Sequence, residues 1–445
     1  MLIMPIRSGF WRLVSVQQPV GALVGPLILA SGLSAQTLPV PTLPPEPPSE
    51  TGLTPQTGTE AAVPETPTPR PWEYGLGIGL GYDSNIDFRV PDGPSSWAIT
   101  PRGNVARVFR SSQGQLRLGG QANWIGYRDQ KELSRYNADL SLDGSYRSSS
   151  KTTWRGGASY EFGYSDQSRV LRDQGVLLPL VKTRTAAGGL GVTREVGVLT
   201  SLRLDGRFYR VDFDQQDVDN LGLNDGQSLR ATAGLERRFG SRDSTAIEYS
   251  LEATASQSAE AAEGDGGRNY LTHFGSLQWS HLLSPRSGFL VEVGASYTPE
   301  AAEAGMERRQ SFYGGASYNR EVGLSSVVLF ARREVVPAFG LGVSRIQNRF
   351  GLSATIPIRR VWTLQLAGTH MAAETPEGAS STYGNRDNAS VVLARRLGRR
   401  FEVSSEGRYS RRGATDTYPE IDQYLVGLFL SLISPAGGSG SRPER

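Results

Sequence analysis

The feature that most constrains this chain is an alternation of apolar and polar residues that begins at Trp72 and recurs, segment after segment, as far as Ile433. Period two marks an extended strand with one dry and one wet face, because successive side chains leave a pleated backbone on opposite sides. From Arg135 to Arg147, Tyr136, Ala138, Leu140, Leu142, Gly144 and Tyr146 share one face, and Asn137, Asp139, Ser141, Asp143 and Ser145 share the other. Trp154 to Tyr164 repeats the pattern, with Trp154, Ala158, Tyr160, Phe162 and Tyr164 against Arg155, Ser159 and Glu161. Thr245 to Ala255 sets Ile247, Tyr249 and Leu251 against Glu248, Ser250 and Glu252.

Similar runs lie near 73–83, 97–110, 114–127, 183–196, 200–213, 227–239, 269–283, 288–299, 309–321, 326–337, 345–358, 361–373, 386–397, 400–411 and 421–433. Together they make about 18 strands, with 16 the other count considered, each of about 10 to 14 residues, the span of a tilted membrane strand. The phase slips within 97–110 and 269–283, where a β-bulge is expected.

Connection lengths carry an independent signal. Stretches such as Asp166–Lys182, Asp214–Gly226 and Glu374–Asn385 are long and polar. The intervening turns are tight: Ser148-Ser149-Ser150, Gly240-Ser241-Arg242, Ser284-Pro285-Arg286, Arg359-Arg360 and Gly398-Arg399. Long loops at one end and short turns at the other belong to outer-membrane barrels, and a soluble sandwich has no reason to alternate them. Aromatic residues at both ends of one face, Tyr136 with Tyr146 and Trp154 with Tyr164, fit two interfacial girdles. Gly-Ala-Ser-Tyr recurs at 157–160, 294–297 and 315–318, each time with Ala and Tyr on the apolar face. The reading is an all-β, transmembrane, up-and-down antiparallel β-barrel over 72–433.

Residues 1–35 read as a signal peptide. Arg7 and Arg12 precede the apolar run Val20–Leu33, which contains Pro26 and falls short of the roughly 20 residues of a spanning helix. Gln36 to Pro71 holds 11 prolines and no aromatic residue. It reads as a disordered periplasmic linker, since it has too little apolar surface to offset the entropy of ordering. Residues 434–445 read as a flexible tail.

Composition excludes several chemistries. The chain has no cysteine, so disulfides and thiolate metal sites are ruled out. Its formal charge of +3 comes from 47 basic and 44 acidic residues scattered along the chain, unlike the clustered basic face of a nucleic-acid binder. Catalysis is not expected: His273, His281 and His370 are the only imidazoles, and neither Gly-x-Ser-x-Gly nor His-Glu-x-x-His occurs. No cofactor is expected. Asp212, Asp214, Asp217, Asp219 and Asp225 concentrate carboxylates, but Asp217 stands where a calcium loop requires glycine, so a solvated acidic loop is the preferred reading. Gly75, Gly77, Gly79 and Gly81 are spaced by two and sit opposite Tyr74, Leu76, Ile78, Leu80 and Tyr82, which makes them wall residues and not a phosphate loop.

If the barrel is open, function lives on its inward face. The pore-lining candidates are Arg135, Asp139, Asp143, Arg155, Glu161, Arg203, Asp205, Arg207, Arg230, Glu236, Glu248, Glu252 and Glu292. Mixed signs suit weak binding of polar solutes, and a ring of one sign would select ions. The arginine pairs at 237–238, 308–309, 332–333, 359–360, 395–396, 399–400 and 411–412 lie near strand ends, where they would snorkel or hold lipid phosphates.

Gly81-Tyr82-Asp83-Ser84-Asn85-Ile86, closing the first strand behind a proline-rich segment, resembles the opening of the second putative β-barrel porin family. That resemblance covers roughly 72–433, mostly as strand texture. It implies an outer-membrane barrel with a link to exopolysaccharide export, and it carries no catalytic residues. The run Leu428-Phe429-Leu430-Ser431-Leu432-Ile433 departs from the aromatic ending of many such barrels. The expected partners are outer-membrane lipid, a hydrophilic solute or polysaccharide, and the barrel-assembly machinery, with oligomeric state open. The expected function is a porin-like conduit. The alternatives are a closed barrel binding a partner through its outer loops or proline-rich arm, and an outer-membrane hydrolase.

Overall fold

The computed structural model describes residues 72–86, 91–165, 181–214, 224–258, 268–299, 309–338, 343–359, 361–374, 385–398, 400–414 and 419–433. The expectations for 1–35, 36–71 and 434–445 lie outside them. Eighteen strands follow one another. The first six are β1 (Trp72–Asp83), β2 (Ser96–Ser111), β3 (Gly114–Tyr127), β4 (Arg135–Ser149), β5 (Thr152–Tyr164) and β6 (Lys182–Glu195). Next come β7 (Thr200–Phe213), β8 (Asn224–Phe239), β9 (Asp243–Ser258), β10 (Arg268–Ser284), β11 (Ser287–Thr298) and β12 (Arg309–Val322). The last are β13 (Ser325–Ala338), β14 (Val343–Arg359), β15 (Trp362–Glu374), β16 (Arg386–Leu397), β17 (Phe401–Arg412) and β18 (Ile421–Ile433).

Each strand pairs antiparallel with its sequence neighbours, and β1 pairs with both β2 and β18, so the sheet closes on itself. Closure removes the unpaired edge that hydrocarbon cannot satisfy. The turns after even-numbered strands span two to four residues, whereas the connections after odd-numbered strands run from four (339–342) to seventeen (165–181). By the loop asymmetry of outer-membrane barrels the short-turn end is the periplasmic one, and the long connections join the strands at the opposite end.

Register fixes the barrel's girth. Opposed residues lead from Trp72 at the base of β1 through Arg107, Leu118, Leu142, Ala158, Gly188, Phe208, Leu229 and Ala253 to Leu271, near the outer end of β10. A second path leads from Leu282, at the periplasmic end of β10, through Gly288, Asn319, Val328, Ser353, Ala367, Ser390, Arg408 and Leu425 to Asp83. The two paths miss each other by the separation of Trp72 from Asp83 on β1 and of Leu271 from Leu282 on β10. The shear is therefore about 22 residues, which for 18 strands gives a tilt of about 42° and a wall radius of about 17 Å.

The wall is apolar outside and polar inside. Large apolar side chains on the outer face remain exposed, such as Leu76 (60%), Leu140 (63%), Ile247 (65%) and Phe312 (81%). A water-soluble domain would cover such a continuous belt, whereas a bilayer solvates it. Aromatic rims bound the belt. At the periplasmic rim Arg107 stacks on Trp72 (5.1 Å) and Phe109 (4.6 Å), and Arg395 stacks on Trp362 (5.2 Å). At the outer rim Tyr82 meets Trp97, and Tyr136 meets Phe162 and Tyr164.

The two phase slips have different causes. The register of β2 with β1 runs unbroken, and its pairs with β3 keep one offset from end to end, so the bulge expected within 97–110 is absent. The pattern is blurred there because Pro101, Gly103 and Arg107 occupy outward positions, Arg107 at a rim where a guanidinium can stack. In β10 the irregularity sits only at the turn, between Leu282 and Ser284. The outward His273 and His281 account for the rest of the blur.

Candidate pore lining

Register places all thirteen predicted lining residues on the inward face. Arg135, Asp139 and Asp143 come from β4, and Arg155 and Glu161 from β5. Arg203, Asp205 and Arg207 come from β7, Arg230 and Glu236 from β8, Glu248 and Glu252 from β9, and Glu292 from β11. Several are brought together. Arg203 pairs with Asp205 along its own strand and reaches Glu248 at 3.8 Å, while Gln278 donates to the same Glu248 at 3.1 Å. Reaching from β7 to β9 requires a low intervening wall, and Gly234 on β8 supplies it, since a Cβ there would stand 3.1 Å from Glu248. Arg230 faces Glu252 across one strand boundary and lies over the Phe274 ring at 4.5 Å.

Glycines have the same use on β1. Gly77, Gly79 and Gly81 share the inward face with Asp83, opposite Ser431, Phe429 and Gly427. Phe429 lies flat over Gly79, where any Cβ would overlap its ring. Arg102 stacks on Phe429 at 4.2 Å, donates to Ser431 at 3.3 Å and pairs with Glu406 at 3.5 Å, crossing β1 and β18 to reach β17. Long side chains are thus laid along the wall and not pointed across the lumen.

At the outer end of β1 the Gly-Tyr-Asp-Ser-Asn-Ile segment forms a buried knot. Asp83 accepts hydrogen bonds from the Tyr127 hydroxyl (2.9 Å), Gln423 Nε2 (3.0 Å) and the Asn85 backbone N–H (3.2 Å), with the Arg135 guanidinium at 3.9 Å. Arg135 donates to the Ile86 carbonyl (3.2 Å), and Ile86 N–H donates to the Pro94 carbonyl (2.9 Å), which turns the first outer loop back on itself. Asp83, Asn85 and Ile86 are all buried. The motif therefore ties four strands, β1, β3, β4 and β18, at the mouth of the barrel.

Sequence reasoning left Arg102, Arg345, Arg349, Arg386, Glu402 and Glu406 out of the lining and set Arg332 and Arg412 at the rim, yet all eight are inward by register. The period-two rule applied to 343–412 would have found most of them. The doubled arginines hid the pattern, because neighbours in a strand point to opposite sides. Arg332 faces in and Arg333 out, Arg395 out and Arg396 in, Arg411 out and Arg412 in. They do not act as twin lipid clamps, since only one of each of these pairs meets the bilayer.

All three histidines lie on the lipid side. His273 bonds the Tyr249 hydroxyl (2.7 Å), His281 bonds Asp243 (2.7 Å) and His370 bonds Asp387 (2.6 Å). None of the three rings faces the lumen. Of the acidic loop, Asp212 receives Arg210 (2.9 Å) and Asp225 accepts from the Phe213 N–H (2.8 Å), while Asp217 and Asp219 lie outside the described residues.

A closed antiparallel barrel of 18 strands, greasy outside between aromatic rims and charged within, defines an outer-membrane β-barrel of the porin type, seated in the outer membrane. The model of the Putative beta-barrel porin 2 family matches residues 75–417, and the chain belongs to that family. Among solved structures, the outer membrane protein OpdK of Pseudomonas aeruginosa is similar at 12% identity, covering 82% of this chain and 98% of that one, with a TM-score of 0.40. The FrpB iron transporter of Neisseria meningitidis aligns at 10% identity over 82% and 83% of the chains, with a TM-score of 0.45. The siderophore receptor PirA of Pseudomonas aeruginosa aligns at 9% over 82% and 81%, with a TM-score of 0.40. Likeness this distant says nothing of solute. A comparison with curated proteins finds no match.

Proposed function

We propose that this barrel is a passive conduit for hydrophilic solutes, with carbohydrate chains, including exported polysaccharide, as the solute class. The observation that supports it is the inner wall. Charged and hydroxyl side chains line a cylinder of about 17 Å radius, and a barrel of this strand number leaves an aqueous channel when nothing fills it. Arg102, Phe429 and Arg230 lie along the wall, so the lining uses little of the bore. Alternating guanidinium and carboxylate groups offer many weak hydrogen bonds to sugar hydroxyls and no deep trap, which suits passage. No step needs a cofactor or a catalytic group. Delivery by the barrel-assembly machinery belongs to the same proposal.

The test is reconstitution into planar bilayers. Folded protein, verified by heat-modifiable migration, should give discrete conductance steps that linear oligosaccharides reduce when added to one side. Folded protein that never conducts would refute an open conduit.

A further inference from the structure

The lipid-facing wall is not uniform. On its β11–β15 sector a groove of about 680 Å³ opens toward the bilayer. Its floor is Ala316, Ala331 and Gly368, and Phe289, Leu329 and Phe350 rise around it. Register accounts for the hollow. Ala316 and Ala331 oppose each other on β12 and β13, so two neighbouring strands present methyl groups where β1 and β18 present Leu76, Leu80, Leu428 and Leu430. Phe350 follows Ala331 in the same row, and Gly368 stands opposite Leu352.

A polar lip bounds the groove on its outer side. Arg333 lies two residues outward of Ala331 on the same face of β13. Among the described lipid-facing lysines and arginines it stands farthest from a strand end, five residues from Ala338, against four from Ser111 for Arg107 and three from Phe213 for Arg210. At the tilt of this wall that is about 12 Å below the outer end of its strand. A guanidinium facing hydrocarbon at such depth is costly, and its default reading is a functional site. Its Nε donates to the Phe312 carbonyl (3.3 Å) and its Nη1 to Asn348 Oδ1 (3.1 Å). Phe312 stands two residues nearer the outer end than Gly314, which opposes Arg333, so the side chain reaches up toward the headgroups. His370, opposite Phe350, bonds Asp387 (2.6 Å) and keeps 46% of its side chain exposed at the same lip.

We infer that this groove is a binding site for one phosphorylated lipid of the outer leaflet, with an acyl chain lying over Ala316 and Ala331 and a phosphate meeting Arg333. The groove is continuous with the bilayer-facing belt, so lipid is the occupant that reaches it without crossing water. An apolar trench below a cation also matches the order of groups in such a lipid, a chain below a phosphate. Charge-assisted bonds from a guanidinium to phosphate oxygens are shorter and stronger than bonds to neutral acceptors such as the Phe312 carbonyl and Asn348. The site depends on the seat in the outer membrane and not on conduction.

Native mass spectrometry of the full chain, folded in detergent and checked by heat-modifiable migration, reads lipid binding directly, with lipid A as the probe and its phosphate-free form as the comparison. Wild type should bind lipid A about fivefold more tightly than the phosphate-free form, the worth of one arginine beside anionic lipid. R333Q should erase that difference. A316L/A331L, which fills the trench, should weaken both lipids about tenfold, as expected for the loss of about two buried methylenes. A122L/A138L, the same change to an opposed alanine pair on the lipid face of β3 and β4, should bind as wild type does. Equal binding of the two lipids by wild type overturns the site, and that comparison needs no variant to fold. Wild-type affinity in R333Q or in A316L/A331L overturns it too, as does an equal loss in A122L/A138L, which would mean that lipid only coats the belt. A dimer lost in A316L/A331L with lipid binding unchanged would assign the face to a second copy and likewise overturn it.

Discussion

Replacing Asp83 by alanine probes the knot at the barrel mouth. The carboxylate accepts three hydrogen bonds, from β3, β18 and its own loop, and stands beside Arg135 from β4. Both charged side chains are nearly inaccessible, at 1% and 3% exposure. Hydrogen bonds to a charged acceptor contribute about 1.5–3 kcal/mol each, but contacts sharing one acceptor do not add. The better guide is the loss when one partner of a buried ion pair is removed, about 3–5 kcal/mol, because the guanidinium then stays buried beside a methyl group. Urea unfolding from lipid vesicles, followed by tryptophan fluorescence and gel migration, should show D83A less stable by about that amount. Asp83→Asn, which keeps an acceptor, should lose less. In a double-mutant cycle with Arg135→Gln the two losses should overlap by at least about 1 kcal/mol. A D83A loss below about 1 kcal/mol, or strictly additive losses, would refute the claim that this motif fastens the barrel.

Other substitutions separate the two faces of the wall. Ile78→Arg, on the lipid side of β1, should cost about 2–4 kcal/mol in the same unfolding assay, whereas Ser141→Arg, inward between Gly119 and Ser159, should cost much less; equal costs would mean the faces are wrongly assigned. Gly79→Leu should displace Phe429 and with it Arg102, lowering folding yield and altering single-channel conductance, while Gly240→Asn, at a turn with φ +76° and nothing near its Cβ, should fold normally. His273→Ala, His281→Ala and His370→Ala should each leave conductance unchanged, because none of these rings faces the lumen. A histidine variant with altered conductance would contradict that placement.

The strands were readable because a barrel wall obeys a local rule. Each residue faces lipid or lumen by parity alone, so Leu140 and Asp139 disclose their sides without knowledge of any distant partner. Every observed strand end falls within three residues of its expected position. The rule faltered where rims and turns mix the signal, as at Pro101, Arg107 and His281, which are polar or ring-bound residues on the outward face. It also faltered at the doubled arginines, where the eye groups what the pleat separates.

Alternation and loop length determined which residues are strands, which face each presents and which end lies in the periplasm. Pairing across the wall decided the rest. Only closure tells that Asp83 meets Tyr127, Arg135 and Gln423, and that Arg102 finds Glu406 three strand boundaries away. Parity is a property of one strand, whereas register and shear belong to the whole circle, and the electrostatics of a lumen are set by the circle.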